Sequence, residues 1–362
     1  MNRSEIFFSL LAGTSMLLSG CGSEKSDMNL TAEKLVYKSD AVLNGSGLAV
    51  SNEVIYAISG NSSYSKVKGL FCLAVKNNKL IDAPAVLTTN VELPPIFPQS
   101  VAVRGNQIYV VDGRNIYKYV CSDSGVISLA AKKLINEDLA FGPAYVTIFG
   151  EDLLVAARRG GVWLLDDDLK LKGTLPSRFA RGVAHSGNEI AVADDNRGVL
   201  IYEWSDGWLK KSFKLKQKLD LPRGSAFSVQ FSGDLLLVAG GSTPLFIFTK
   251  EINGDYRLLS EVKILPGAQF YGSNSYDLAV DQSNVYLAGG ESGVVAIDIS
   301  DAQNPQVIGY VPELFYRGIK NIELLGDKLL VNDDGNELFL LDKSNPRQMQ
   351  VLDSRPLTIN AK

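Results

Sequence analysis

The chain has 362 residues, 36 Lys and Arg against 40 Asp and Glu, and a formal net charge of −4. Hydrophobic residues make up 46% and charged residues 21%, a balance that excludes a disordered chain, a coiled coil and a polytopic membrane protein. The slight acidity leaves no basic footprint for nucleic acid, and a single histidine removes most metal sites and general-base arrangements built on imidazole.

Residues 1–20 read as a signal peptide. Arg3 supplies a short basic start, and Ile6 to Leu18 is an apolar stretch too short for a comfortable membrane span. The stretch ends in Leu18-Ser19-Gly20-Cys21, which resembles a bacterial lipobox. That resemblance implies cleavage before Cys21 and lipidation of its thiol, and several acyl chains on one residue anchor stably where one chain does not. Gly22 and Ser23 stand where many inner-membrane lipoproteins of Gram-negative bacteria carry Asp, which favours the outer membrane in such a host. Residues 21–32 then form the lipidated cysteine and a polar tether. Only Cys72 and Cys121 remain beyond it, both inside apolar runs, and they are expected as thiols rather than a disulfide.

The body, residues 33–362, repeats one pattern: apolar strand, Gly-Asp/Asn/Glu turn, apolar strand, loop, apolar strand. It runs through Val101–Val111 around Gly105-Asn106, Val146–Ala156 around Gly150-Glu151, and Val183–Ala193 around Gly187-Asn188. It continues in Ser228–Ala239 around Gly233-Asp234 and Ile319–Asn332 around Gly326-Asp327. Two copies lack the glycine: Leu48–Ile58 around Ser51-Asn52, and Leu278–Ala288 around Ser283-Asn284. Seven copies spaced by about 46 residues match four-stranded propeller blades, and Gly-Asp or Gly-Asn suits tight hairpins because these residues tolerate positive φ. The expected fold is all-β: a seven-bladed β-propeller of four-stranded antiparallel blades. Leu35–Lys38 and Met349–Leu352 are both candidates for the outer strand that closes the ring.

The segment Val294-Val295-Ala296-Ile297-Asp298-Ile299-Ser300-Asp301-Ala302-Gln303-Asn304-Pro305 is similar to the LVIVD repeat of bacterial exported propellers. Val162–Asp166 and Leu338–Asp342 echo it. The resemblance implies an exported propeller and no particular activity, since one fold hosts many functions.

In propellers the loop leading into each first strand shares a face with the loop between second and third strands. Here those loops collect Arg181-Gly182, Arg223-Gly224 and Arg317-Gly318, together with Arg158-Arg159, several Asp and a set of Phe and Tyr. Arginine forks recognise carboxylate or phosphate, so Arg158, Arg181, Arg223 and Arg317 are the candidate ligand-binding residues of a central funnel. Two roles are open to them: an anionic small molecule or glycan site, or ion pairs to aspartates of neighbouring blades that hold the ring. The acidic turns Asp166-Asp167-Asp168, Asp194-Asp195-Asn196 and Asp333–Glu337 lack the spacing of a calcium loop. His185 falls at the far end of a first strand and reads as packing. Trp163 reads as packing too, Trp204 and Trp208 as a hairpin, and Lys214, Lys216 and Lys218 as one charged face of an outer strand. No catalytic motif, metal set or cofactor fingerprint emerges. The expectation is a lipid-anchored envelope propeller that binds or scaffolds an envelope protein through its loop face, the anionic-ligand funnel being the alternative and a hydrolase or lyase the weakest reading.

Overall fold

The computed structural model describes residues 47–51, 53–59, 69–84, 86, 90–92, 98–135, 142, 144–195, 197–206, 211–241, 243–263, 265–266, 274–333 and 337–357. The signal peptide, Cys21, the tether, Leu35–Lys38 and Trp208 lie outside the described residues.

Seven antiparallel sheets follow one another along the chain, each ordered first, second, third and fourth strand from the centre outwards. The first strands are Leu48–Ser51, Pro98–Arg104, Tyr145–Phe149, Gly182–Ser186, Ser225–Ser232, Asp277–Asp281 and Ile319–Leu325. Six sheets have four strands. Blade one departs from the expectation, because its outer position is shared by Lys79–Asp82 and Asn90–Glu92, which pair with different halves of Gly69–Lys76. The chain leaves the ladder at Ala83, whose amide donates to the Cys72 carbonyl oxygen, before turning back.

The apolar runs are continuous because each blade is buried on both faces. In Gln107–Asp112, Ile108 and Val110 pack toward blade one while Tyr109 and Val111 pack toward blade three. Alternate strand residues point to opposite faces, so every blade feeds two cores, and seven apolar clusters fill the seven gaps between neighbours. Cys72 is buried in the first of these clusters and Cys121 packs against it, both as thiols, with burial pushing the Cys72 thiol up to about 12.

Among the described residues, blade seven draws all four strands from the C-terminal part, its outer strand being Gln350–Pro356. The seam to blade one packs Leu330, Leu338 and Leu340 on Ile55, Phe71 and Leu73. Polar contacts fasten it outside: Asp353 accepts from Lys79 Nζ at 3.1 Å and from the Leu80 amide at 2.7 Å, and Arg355 pairs with Asp82 at 2.5 Å.

All seven repeated turns join first to second strands. Gly105, Gly150, Gly187, Gly233 and Gly326 have φ between 55° and 60°, where a side chain costs about 1–2 kcal/mol. In the copies without glycine the turn lies one residue away from the sequence alignment. Gln282, not Ser283, holds the equivalent position with φ of 55°, and Ser51 is the last residue of its strand, paired with Val54. A Cβ at Gly233 meets nothing within 4 Å, so its conformation alone sets the penalty. Gly233→Ala is expected to lower stability by about 1 kcal/mol and Gln282→Gly to raise it by a smaller amount. Thermal denaturation of the pair checks the opposite signs.

Candidate functional site

Within its sheet each described first strand pairs only with its second strand, so its other edge faces the central channel. The strands enter that channel through a shared irregularity. Gln99, Phe227 and Lys320 are the extra residues at register shifts in blades two, five and seven. The amides of Ala144, Arg181 and Tyr276 donate to carbonyls of Ala156, Ala193 and Ala288, which are already the partners of Tyr145, Gly182 and Asp277. Six blades therefore place a bulged residue at one equivalent level, and a bulge re-aims its side chain away from the ladder. These six residues line a mouth cavity of about 60 Å³.

The four blades from four to seven fill this level with Arg, Phe, Tyr and Lys. The guanidinium of Arg181 lies 5.0 Å from the Phe227 ring centroid and 5.1 Å from that of Phe179, while its Nε donates to Asp195 at 3.1 Å. Phe227 and Tyr276 stack at 5.6 Å with 9° between their planes. Lys320 Nζ sits 3.6 Å from the Tyr276 centroid. Arg181, two rings and Lys320 thus form a cation–ring–ring–cation ladder across the mouth.

Lys320 is only 6% exposed, and among the described residues no carboxylate forms an ion pair with it. A cation over a ring gains about 0.5–2 kcal/mol, less than the several kcal/mol that burying an ion costs.

Below the mouth the channel widens to a cavity of about 270 Å³, bordered by Tyr145, Thr147, His185, Ser228, Asp277, Asn321 and Glu323 among others. Asp277 joins three blades: its Oδ1 accepts from Ser228 Oγ at 3.0 Å and the Leu278 amide at 2.9 Å, and its Oδ2 from the Ile322 amide at 3.3 Å. Burial nevertheless dominates and pushes its carboxyl up to about 6. Burial, then the Asp277 charge, pushes Glu323 up to about 7. Burial and the same two carboxylates raise the Tyr145 phenol across the channel.

The four candidate arginines do not converge. Arg181 alone borders the mouth cavity. Arg223 is exposed and stands four residues before Phe227, and Arg317 stands three before Lys320, so the three Arg-Gly pairs are not at equivalent positions. The bulges, rather than the glycines, set the register. Arg317 pairs with Glu337 and with Asp333 at 3.2 Å, over the Phe339 ring. Arg158 is buried, with φ of 43° and a bridge to Ala180. The pairs of Arg181 and Arg317 lie within their own blades, not between neighbours as the alternative role supposed.

His185 packs at 5.0 Å edge-on to Phe149 with Nε2 3.0 Å from the Ile148 carbonyl oxygen, at the far end of its strand. Trp163 and Trp204 donate to carbonyls of Gly160 and Gly187, both at 3.1 Å. Lys216 is more than a surface charge: it reaches Glu189 at 2.9 Å. Among the described residues no group of three or more His, Cys, Asp or Glu is placed to hold a metal. Sequence reading missed Lys320 and Glu323. The available signal was a charged residue inside an apolar first strand, as in Ile319-Lys320-Asn321-Ile322-Glu323-Leu324.

The LVIVD repeat family profile matches residues 98–116, in blade two rather than at the blade-six segment that carried the resemblance in sequence. No curated protein sequence matches the chain. Solved structures share the fold. A candidate 6-phosphogluconolactonase from Bacteroides uniformis superposes with a TM-score of 0.60 at 15% identity, covering 85% of this chain and 93% of that one. BamB from Moraxella catarrhalis gives 0.53 at 11%, covering 84% and 83%. AztD from Citrobacter koseri gives 0.53 at 14%, covering 88% and 91%. The chain is thus a seven-bladed β-propeller in which residues 98–116 of blade two are similar to the LVIVD repeat.

Proposed function

We propose that this protein is a binding module of the bacterial cell envelope, anchored through lipidated Cys21, that takes an anionic group at the mouth of its channel. The observation that carries this reading is Lys320, a buried cation without a carboxylate partner among the described residues, aimed into the mouth cavity beside Arg181. A carboxylate or phosphate there offsets the charge that Tyr276 alone does not. The mouth cavity of about 60 Å³ holds a charged head group, whereas whole-ligand pockets run to about 300–1,000 Å³.

Thermal shift and calorimetric titration of the full lipoprotein in detergent, with hexanoate as the anionic probe, test the reading. Saturating probe is expected to raise Tm by about 2–4 °C, and Lys320→Met, which keeps an apolar stem on Tyr276, to weaken binding about tenfold or more. An unmoved Tm, or an unaffected Lys320→Met, overturns it.

A second reading, docking of an envelope protein on the same face, is favoured by exposed Arg223 and by Tyr316, which is 60% exposed beside Arg317. A photo-crosslinker at position 223 that captures one reproducible envelope protein in cells supports it, and background labelling alone removes it.

A further inference from the structure

The mouth and the channel below it are one continuous space of opposite polarity. The two cavities share Tyr145, Ser228, Asp277 and Asn321 in their walls. Lys320 borders the upper one and Glu323 the lower one, three residues apart on the same first strand, Ile319–Leu325. At about 3.3 Å per residue the two backbone positions are about 10 Å apart.

Among the described residues neither pole has an ion-pair partner. Asp277 lines the same space as Lys320, but its oxygens are taken by Ser228 and by the amides of Leu278 and Ile322. Glu323 has the Leu324 amide as a donor and no cation paired with it among the described residues. Between the poles, Asn321 turns its side chain to Asp277 and leaves Oδ1 buried without a hydrogen-bond partner, an acceptor for an N–H group. A purely anionic chain entering from the mouth would meet Asp277 and Glu323. A purely cationic one would meet Lys320 first.

Resting on the anionic-mouth reading, we propose that the ligand is a linear zwitterion, its carboxylate seated on Lys320 and Arg181 and its protonated amine carried down the channel to Glu323. One molecule then neutralises both poles, and the cavity of about 270 Å³ below the mouth accommodates its body. The class is that of ω-amino acids and short peptides, in which carboxylate and ammonium are several bonds apart.

The proposal carries a pH signature. The titratable groups bordering the lower cavity are Glu323, Asp277, Tyr145 and His185, with Lys320 above. Glu323, pushed up to about 7, must be ionised to hold an ammonium group, so amine binding weakens as pH falls through that value.

The probes are 6-aminohexanoate, hexanoate and hexylamine, titrated calorimetrically into the full lipoprotein in detergent at pH 8 and pH 5. The expected result is 6-aminohexanoate binding about tenfold or more tighter than either single-charge probe at pH 8, with that advantage lost at pH 5. Glu323→Gln is expected to abolish the advantage of 6-aminohexanoate over hexanoate, its fold verified by Tm. Equal binding of 6-aminohexanoate and hexanoate overturns the zwitterion and leaves the anionic mouth standing. Binding of neither overturns both, and an advantage that survives Glu323→Gln overturns the assignment of the amine pole.

Discussion

Glu189→Ala is expected to cost about 3 kcal/mol, seen as a fall in Tm of about 5 °C. Glu189 opens the second strand of blade four, Glu189–Ala193, and is 3% exposed. It accepts from Lys216 Nζ at 2.9 Å, Lys250 Nζ at 2.7 Å and Tyr256 Oη at 2.9 Å. Lys250 and Tyr256 belong to blade five, so this one carboxylate ties two blades. Alanine removes three acceptor contacts and leaves two lysines and a phenol facing one another. Burial raises the Glu189 carboxyl, but Lys250, Lys216 and Tyr256 outweigh it and hold it below the ordinary carboxylate value. A depressed folded value means that the contribution is present above the unfolded value and lost as pH falls through the folded one. The acid limb of a Tm–pH profile should therefore flatten in Glu189→Gln, whose own loss at pH 7 is expected to be smaller than that of alanine. A Glu189→Ala protein within about 1 kcal/mol of wild type would show that the lysines find water at no cost.

Glu323→Gln is expected to act in the other direction, stabilising the ligand-free protein by about 2 kcal/mol at pH 8, or about 3 °C in Tm. Here the folded carboxyl lies above its unfolded value, at about 7, through burial and then the charge of Asp277. Stability from such a group is fully present below the unfolded carboxylate range and is lost as pH rises through about 7. Asp277, at about 6, follows the same sign, and its charge adds to the rise at Glu323. The penalty at pH 8 is that of two half-buried carboxylates held around one narrow channel. Glutamine keeps the shape and removes one charge. Wild-type Tm should decline between pH 5 and pH 8 relative to Glu323→Gln, and parallel profiles would remove the coupling. Asp277→Asn is a poorer probe, since its carboxylate also joins Ser228 to blade seven. Stability gained by deleting a charge is what a site built for a ligand pole rather than for the fold displays.

The blade count was legible because it rests on local physics. Five Gly-centred hairpins at φ near 60° stand out in any reading of the chain, and the strands beside them are apolar on both faces because both faces are buried. Even so, the two glycine-free turns were aligned one residue off. Without glycine, nothing local marks which residue takes the left-handed conformation, and only the pairing of Asp281 with Asn284 shows that Gln282 does.

The candidate site was legible in kind but not in its members. The loop face does bring Arg181 beside aromatic rings, as the composition suggested. Arg223 and Arg317 do not border the mouth cavity, because the Arg-Gly dipeptide recurs in sequence without recurring at one place along the strands. Place along these strands is set by bulges, one such residue in six of the seven blades, and a bulge has no sequence signature when Gln, Phe and Lys all occupy it.

Repeat number and hairpin positions follow from short-range chemistry: a period of about 46 residues, glycines where φ must be positive. The ladder of Arg181, Phe227, Tyr276 and Lys320 draws one residue from each of four blades, across 140 residues of chain. The opposition of Lys320 to Glu323 needs a closed ring to enclose both charges, since on an open sheet water would solvate each and neither would want a partner. Burial is a property of the assembled ring, so the charges that define the site acquire their meaning only when seven blades close around them.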